Sequence, residues 1–178
     1  GLSGTITSSQ FYTAYSTLVS RICHPCTEVF GILKGIIAKL LSDYPKQSFW
    51  YVVYAMKNKL PNANERLKDI LRSVPKENLA VEEFSCFIDR ILELSKVNES
   101  YQNVLVKKIN DMLLRMKSQL LMPLQQNLMI SNAAEQIHIT KLSNEIVVLS
   151  SLQKPRAVKF FGDDGKEYKM LIKSNDDL

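Results

Sequence analysis

Two cysteines separated by two residues, Cys23 and Cys26, are the first side chains whose spacing could do chemistry. A C-x-x-C pair can form a redox centre or half of a zinc site, because both thiolates can then reach one point. A structural zinc needs four ligands, and Cys86 and His138 lie far away in the sequence. The strand that precedes a thioredoxin-like motif is also missing. We therefore expect the end of a helix with two buried cysteines.

Lys173 follows the apolar run Met170–Ile172, so its ammonium group would emerge from an otherwise apolar strand. In nucleotide-dependent kinases a strand lysine contacts the nucleotide phosphates while its neighbours pack the site. An edge-strand lysine that faces water explains the same pattern. The spacing alone does not separate these two interpretations.

Other candidate residues indicate structure rather than chemistry. Trp50, Tyr51 and Tyr54 lie at helical spacing and are expected in a packed core with one polar edge. His138 stands alone in a polar stretch, and no Ser–His–Asp or Cys–His arrangement is evident. The glycine-rich phosphate loops G-x-x-x-x-G-K-[ST] and G-x-G-x-x-G do not occur.

The composition is that of an ordinary globular protein, with 178 residues, 46% hydrophobic and 23% charged. It argues against a disordered chain, and no apolar run approaches the roughly 20 residues of a membrane span. The net charge of +5 comes from scattered basic residues and predicts a solvated surface rather than a nucleic-acid patch. Three cysteines without a signal peptide indicate a reducing compartment. The absence of an initiator Met leads us to expect a piece of a longer protein.

Through the first 130 residues, apolar side chains recur every three or four positions and predict consecutive helices. The predicted helices cover about 10–22, 27–41, 46–57, 64–74, 80–97 and 101–121. Prolines at or near their ends explain the breaks, because the residue before a proline is pushed out of the helical region. Short connections predict antiparallel neighbours in an open helical stack.

After about residue 131 the helical spacing gives way to short β-branched and aromatic runs, at 145–149, 157–161 and 168–172. Gly162 to Gly165 predict a hairpin turn between the last two runs. The polar segment 131–144 is expected to be a linker. The predicted fold class is therefore mainly α, with a helical stack over 1–130, a linker over 131–144 and the first strands of a truncated sheet domain over 145–178.

Three motifs in the strand-rich part resemble the start of the kinase domain in the phosphatidylinositol-3-kinase-related protein kinases. They are S-S-L-Q-K-P-R from Ser150, F-G-D-D-G-K from Phe161 and L-I-K-S-N-D-D-L from Leu171. The S-L-Q-K-P form is most similar to the ATR-type DNA-damage checkpoint branch. Residues 10–24 and 36–50 resemble the C-terminal end of the FAT domain, the helical solenoid that clasps the kinase domain in this family. The resemblance implies a FAT-like α-solenoid followed by the first strands of a PI3K/PI4K-type kinase N-lobe.

The same resemblance implies an ATP site, residue by residue. Ser151 matches the serine of the phosphate-binding loop, and Leu149 matches the apolar residue just before it that covers the adenine. Lys173 matches the lysine that contacts the ATP phosphates. Leu171 matches the apolar residue on the same strand that faces the purine, and Gly162 to Gly165 match a structural hairpin.

The activity that the resemblance implies is that of a non-specific serine/threonine protein kinase. The parent protein would transfer the ATP γ-phosphate, with Mg²⁺, to Ser or Thr of protein substrates in nuclear DNA-damage and replication-stress checkpoint signalling. A regulatory subunit like the ATR-interacting protein is implied as its partner, and neither a nucleic-acid site nor a membrane contact is expected here. The family's hinge, catalytic loop, metal-binding aspartate and activation loop have no match in this sequence. No catalytic or metal-binding residue is therefore assigned, and this piece alone is expected to be inactive.

Two alternatives remain open. An α-helical scaffold whose short strands only dock on a partner would explain the periodic helices without ATP. The TOR-like branch of the same family would differ only in pathway. Replacement of Lys173 by Ala in the full-length protein separates a kinase from a scaffold.

Overall fold

The computed structural model describes residues 7–57, 62–75, 81–129, 136–151 and 154–173. Its helices are α1 (Ser8–Tyr12), α2 (Tyr15–Ser20), α3 (Thr27–Asp43), α4 (Pro45–Lys57), α5 (Ala63–Arg72), α6 (Val81–Leu94), α7 (Glu99–Arg115) and α8 (Gln125–Leu128). Its strands are β1 (Ile139–Leu142), β2 (Val147–Val148), β3 (Arg156–Gly162) and β4 (Glu167–Ile172). The predicted mainly helical fold with a small C-terminal sheet is confirmed.

The chain divides into two compact units. The first comprises Gly1–Val81 with Pro123–Ala133, and the second comprises Glu82–Met122 with Ala134–Leu178. The first unit is therefore wholly helical in its described part, and the second combines α6 and α7 with the sheet.

The core of the first unit forms where the apolar faces of α3, α4 and α5 meet. Its fully buried side chains are Ile37, Leu40, Leu41, Val52, Val53, Leu67 and Ile70. The connection between α3 and α4 is a single residue, Tyr44, and α4 begins at Pro45, whose fixed φ suits the first helical position. The predicted break at this proline is confirmed.

The predicted helix over 10–22 is interrupted, which is a difference from the sequence pattern. Thr13 and Ala14 form a turn between α1 and α2, in which the Thr13 hydroxyl donates a hydrogen bond to the carbonyl of Gln10 at 2.7 Å. A threonine side chain that bonds to a preceding carbonyl competes with helical geometry, which accounts for the interruption.

The second unit also departs from the sequence pattern at two places. Helix α7 ends at Arg115, although the apolar spacing predicts a helix to about residue 121. Residues 120–122 instead pair with 137–139, through hydrogen bonds from Ile139 to Leu120 and from Met122 to Ile137, both 2.8 Å. Strand β1 follows directly, within the segment 131–144 that was expected to be a linker.

The hairpin between β3 and β4 has the predicted turn. The amide of Gly162 donates to the carbonyl of Lys166 at 3.0 Å, and Gly165 has a φ of 77°. A Cβ at Gly162 would lie 2.7 Å from Cγ2 of Ile137, so a side chain does not fit there. None of the helices in the described part of the chain is long and apolar enough to cross a membrane.

Candidate nucleotide-binding site

The sheet of the second unit has β3 at its centre. β4 pairs with β3 along one edge, and β1 and β2 pair with different parts of the other edge, all antiparallel. Residues directly opposite one another in such a sheet point to the same face, and faces alternate along each strand. The register therefore sorts the side chains into two faces.

The inner face packs against the helices of the second unit. Val158, Phe160 and Ile172 are 0%, 4% and 7% exposed, and the ring centroid of Phe160 lies 6.4 Å from that of Phe87 on α6. This face is the apolar core of the unit and fixes the orientation of the strands. The opposite face of the same strands is therefore the one available for a ligand.

The outer face carries an apolar row across three strands. Val147 and Leu171 lie opposite Ala157 on either side of β3, and they are 58% and 57% exposed. Leu149 follows Val147 by two residues, so it lies on the same face, and it is 37% exposed. Its amide donates to the carbonyl of Pro155 at 2.9 Å, which extends the pairing of β2 with β3. Leu149 and Leu171 thus share one exposed apolar surface.

Lys173 lies at the end of this surface. It follows β4 by one residue and Leu171 by two, so the alternation of the strand places it on the outer face. Since Ile172 is opposite Arg156, Lys173 is level with Pro155 at the end of the sheet where β2 leads into the following loop. Its side chain is exposed and makes no ion pair with any residue that the structure describes.

The loop after β2 returns the chain to β3 at the same end of the sheet. The amide of Ser151 donates to the carbonyl of Leu149 at 3.0 Å, and the amide of Lys154 donates to the carbonyl of Ser151 at 3.0 Å. Lys154 has a φ of 41°, a left-handed conformation that a non-glycine residue rarely adopts. Ser151 is exposed, and residues 152–153 of the S-S-L-Q-K-P motif and 174–178 of the last motif lie outside the described residues.

A second lysine on the outer face differs from Lys173 in its charge environment. Lys159 contacts Glu145 at 2.6 Å and Glu167 at 3.5 Å. The hydrogen bond and charge of Glu145 hold the pKa of Lys159 above its ordinary value. The ammonium group of Lys159 is therefore engaged within the sheet, whereas that of Lys173 is not engaged by the described residues.

Two polar side chains that the sequence pattern did not single out hold the sheet in place. A guanidinium nitrogen of Arg156 donates a short hydrogen bond to the carbonyl of Val97, after α6. Asn110 on α7 binds the backbone of Leu142 in β1 twice, with its amide group donating to the carbonyl at 3.0 Å and its oxygen accepting from the amide at 2.8 Å. In the sequence, the one sign of such a role for Arg156 and Asn110 is that each is a polar residue on a face that is otherwise apolar.

The other sequence candidates include two cysteines, two tyrosines and a histidine. Cys23 and Cys26 are half-buried in the first unit, so the expectation of two buried cysteines is wrong. Tyr51 packs edge-on against Tyr15 with ring centroids 5.5 Å apart, in the predicted core, and the side chain of Tyr54 lies outside the described residues. His138 contacts Asp163 rather than standing alone.

No three His, Cys, Asp or Glu side chains in the described part of the chain are arranged to hold a metal ion.

A protein-family model described as "Serine/threonine-protein kinase ATR-like, HEAT repeats" matches residues 2–95, just over half of the chain. The chain belongs to this ATR-like family. The "Serine/threonine-protein kinase ATR" of Drosophila melanogaster is 27% identical over 94% of this chain, and that of Arabidopsis thaliana is 29% identical over 95%. The chain spans only 8% and 7% of the length of these two relatives.

A solved structure titled "FAT and kinase domain of CtTel1" has a similar fold. It matches 93% of this chain and 13% of its own length, with a TM-score of 0.63 and 15% sequence identity. At this identity the likeness concerns the fold alone. The helical stack and the small sheet of the ATR-like chain thus recur together in that structure.

Proposed function

We propose that this chain supplies part of the ATP-binding surface of an ATR-like serine/threonine protein kinase. One observation carries the proposal: Leu149, Leu171 and Lys173 share one exposed face of the sheet, at the end from which the Ser151 loop leaves. The family to which the chain belongs supports a kinase as the parent protein.

The chemistry of this surface suits a nucleoside triphosphate. A purine ring is apolar on both faces and would lie against Leu149 and Leu171, while the triphosphate would reach the ammonium group of Lys173. A lysine is a compact point charge with three donors, which suits it to phosphate oxygens. The hydroxyl of the exposed Ser151 would add a further donor to the phosphate contacts.

When ATP is bound, it supplies the γ-phosphoryl group that a kinase transfers to a protein hydroxyl. Such transfer depends mainly on positioning and on stabilisation of the phosphate charge. Lys173 would contribute to both, and Leu149 and Leu171 would fix the purine. We assign no residue of this chain to general-base catalysis or to the Mg²⁺ ion that the proposed reaction uses.

The proposal extends to the whole kinase. Its substrates would be Ser and Thr residues of proteins in checkpoint signalling, its location the nucleus and its partner a regulatory subunit. The domain division of the sequence also remains a proposal, with a helical domain over 1–130, a linker over 131–144 and the start of the kinase N-lobe over 145–178. The two compact units of the structure are divided differently, because α6 and α7 group with the sheet and β1 lies within 131–144.

The test is Lys173→Met in the full-length kinase, compared with Lys169→Met. Lys169 lies on β4, four residues before Lys173 and on the same face, and it is also exposed, so it is a suitable control lysine. We expect kcat/KM for phosphoryl transfer to fall about a hundredfold or more in Lys173→Met, because a charge aimed at the transferred phosphate is lost. Lys169→Met should retain nearly full activity, and both variants should keep the thermal stability of the parent.

The opposite result would favour the scaffold alternative. If Lys173→Met loses no more activity than Lys169→Met, while both proteins fold, then Lys173 does not serve the phosphates. Binding of a fluorescent ATP analogue by the two variants provides a readout that does not depend on the protein substrate.

A further inference from the structure

The C-x-x-C pair lies at the junction of α2 and α3, in the first unit. Cys23 belongs to the turn after α2, and Cys26 is the N-cap residue of α3, with extended backbone angles of φ −76° and ψ 125°. Both thiols are half-buried, and neither cysteine is joined in a disulfide. A small oxidant can therefore reach a pair that a buried helix end would have protected.

The Cys26 side chain is held at the N-terminus of α3 by a hydrogen bond. Cys26 directly precedes α3, a helix of 17 residues whose first amides have no partner within the helix. The Cys26 thiol donates a hydrogen bond to Oε2 of Glu28 at 2.9 Å, and oxidation of the sulfur would remove this bond. This hydrogen bond also holds the pKa of Glu28 below its ordinary value.

The backbone between the two cysteines contains a bend. Pro25 fixes one φ angle of the connection. Nδ1 of His24 accepts a hydrogen bond from the amide of Cys26 at 3.2 Å. Because only two residues separate the cysteines, the loop that a disulfide would close is short.

Helix α5 contacts this turn through one side chain. Nη1 of Arg66 donates to the carbonyl of Ile22 at 2.5 Å and to that of His24 at 2.6 Å, so the two contacts bracket Cys23. A change in the turn that moves these two carbonyls apart would break one of the two hydrogen bonds. The hydrogen bonds of Arg66 would therefore depend on the redox state of the two cysteines.

We propose that Cys23 and Cys26 are a redox-sensitive pair that closes to an intramolecular disulfide in the presence of a peroxide. The two S–H bonds break, an S–S bond forms, and the two thiols together lose two protons and two electrons. The peroxide accepts both electrons, its O–O bond breaks, and hydrogen peroxide leaves as two molecules of water. A dithiol reductant reverses the step. Formation of the disulfide would remove the hydrogen bond from Cys26 to Glu28. It would also change the positions of the carbonyls to which Arg66 donates.

The first experiment uses the 178-residue chain with Cys86→Ser, which removes the exposed third thiol. The protein is treated with hydrogen peroxide, the remaining thiols are alkylated with N-ethylmaleimide, and the intact mass is measured. We expect both thiols to disappear together without gain of oxygen and to return after dithiothreitol. Cys23→Ser and Cys26→Ser in the same background are matched controls, and each should instead gain oxygen on its single thiol.

Three results would overturn the proposal. The thiols could remain open to alkylation after peroxide, the two could gain oxygen independently, or the chain could form disulfide-linked dimers instead.

The second experiment tests the contact with α5. The shift in thermal unfolding midpoint on oxidation is compared between the chain with Cys86→Ser and the same chain with Arg66→Ala. We expect the shift to shrink when Arg66 is removed. An identical shift in both proteins would show that Arg66 does not register the disulfide.

Discussion

Arg66 binds three groups of the first unit at once. Besides the carbonyls of Ile22 and His24, its guanidinium group lies 4.4 Å from the ring centroid of Phe30 on α3. A planar guanidinium can donate to two acceptors and stack on a ring together, which a lysine ammonium cannot do. One side chain of α5 thus closes the end of α2 and contacts the start of α3.

We expect Arg66→Ala to lower the free energy of unfolding by about 2 kcal/mol, because hydrogen bonds from a charged donor to two half-buried carbonyls are lost. Arg66→Lys should recover only part of this loss. Arg72→Ala is the matched control, since Arg72 is an exposed arginine at the end of the same helix, and its loss should be within about 0.5 kcal/mol. Urea unfolding followed by circular dichroism measures all three. Equal losses for Arg66→Ala and Arg72→Ala would contradict the role of the two carbonyls.

His138, just before β1, and Asp163, in the hairpin of β3 and β4, are joined by several hydrogen bonds. Oδ2 of Asp163 lies 2.8 Å from Nδ1 of His138, and Oδ1 accepts from the His138 amide at 2.9 Å. The Asp163 amide donates in return to the His138 carbonyl at 3.0 Å. Burial alone would raise the pKa of Asp163, but the hydrogen bonds from His138 outweigh it and the pKa is lowered.

This pair should make the sheet sensitive to acid. A carboxyl whose pKa is lowered by folding stabilises the protein fully above the ordinary aspartate value of about 3.9. That contribution is lost as the pH falls through the still lower value of the folded state. We therefore expect the stability of the parent chain to fall more steeply below about pH 4 than that of Asp163→Asn. His138→Ala keeps the backbone hydrogen bond, so it should reduce only part of this fall in stability below about pH 4. The argument would be refuted if both variants lost stability in acid as steeply as the parent chain.

Strand β1 shows what sequence periodicity does not reveal about an element. Only four residues long, it lies in a polar stretch and is paired on one edge with β3. Its other edge is bound by the side chain of Asn110, 32 residues earlier. A strand whose partner is a helix side chain and a distant strand has no local pattern, because its stability comes entirely from tertiary contacts.

The long helices and the β3–β4 hairpin could be predicted because their signals are local. The stripe from Leu33 to Leu41 has helical spacing, and Gly162 and Gly165 bound the turn. The interruption at Thr13 and the end of α7 at Arg115 could not be predicted, since a side-chain hydrogen bond and a distant pairing decide them. For the candidate site, the resemblance to kinase motifs pointed to Leu149, Leu171 and Lys173. The register of the sheet places these three residues on one face, which the sequence pattern does not show.

The proposed nucleotide surface is open in the described part of the molecule, so the isolated chain would contact a nucleotide on one side only. A ligand pocket usually buries about 70–90% of its ligand, whereas a flat sheet face contacts only one side of a purine. With Leu149 and Leu171 still 37% and 57% exposed, the apolar surface available to ATP is small. Lys173 alone would meet the phosphates in water, where a point charge contributes little.

We therefore expect the 178-residue chain to give a mostly helical circular dichroism spectrum but no measurable affinity for ATP by calorimetric titration. The same titration on the full-length kinase, with Leu171→Ser as its variant, should show binding that the substitution weakens. Micromolar ATP binding by the isolated chain, abolished by Leu171→Ser, would contradict the expectation. It would mean that the outer face, with the loop of Ser151 and the ammonium of Lys173, already encloses enough of the nucleotide to bind it without a second wall.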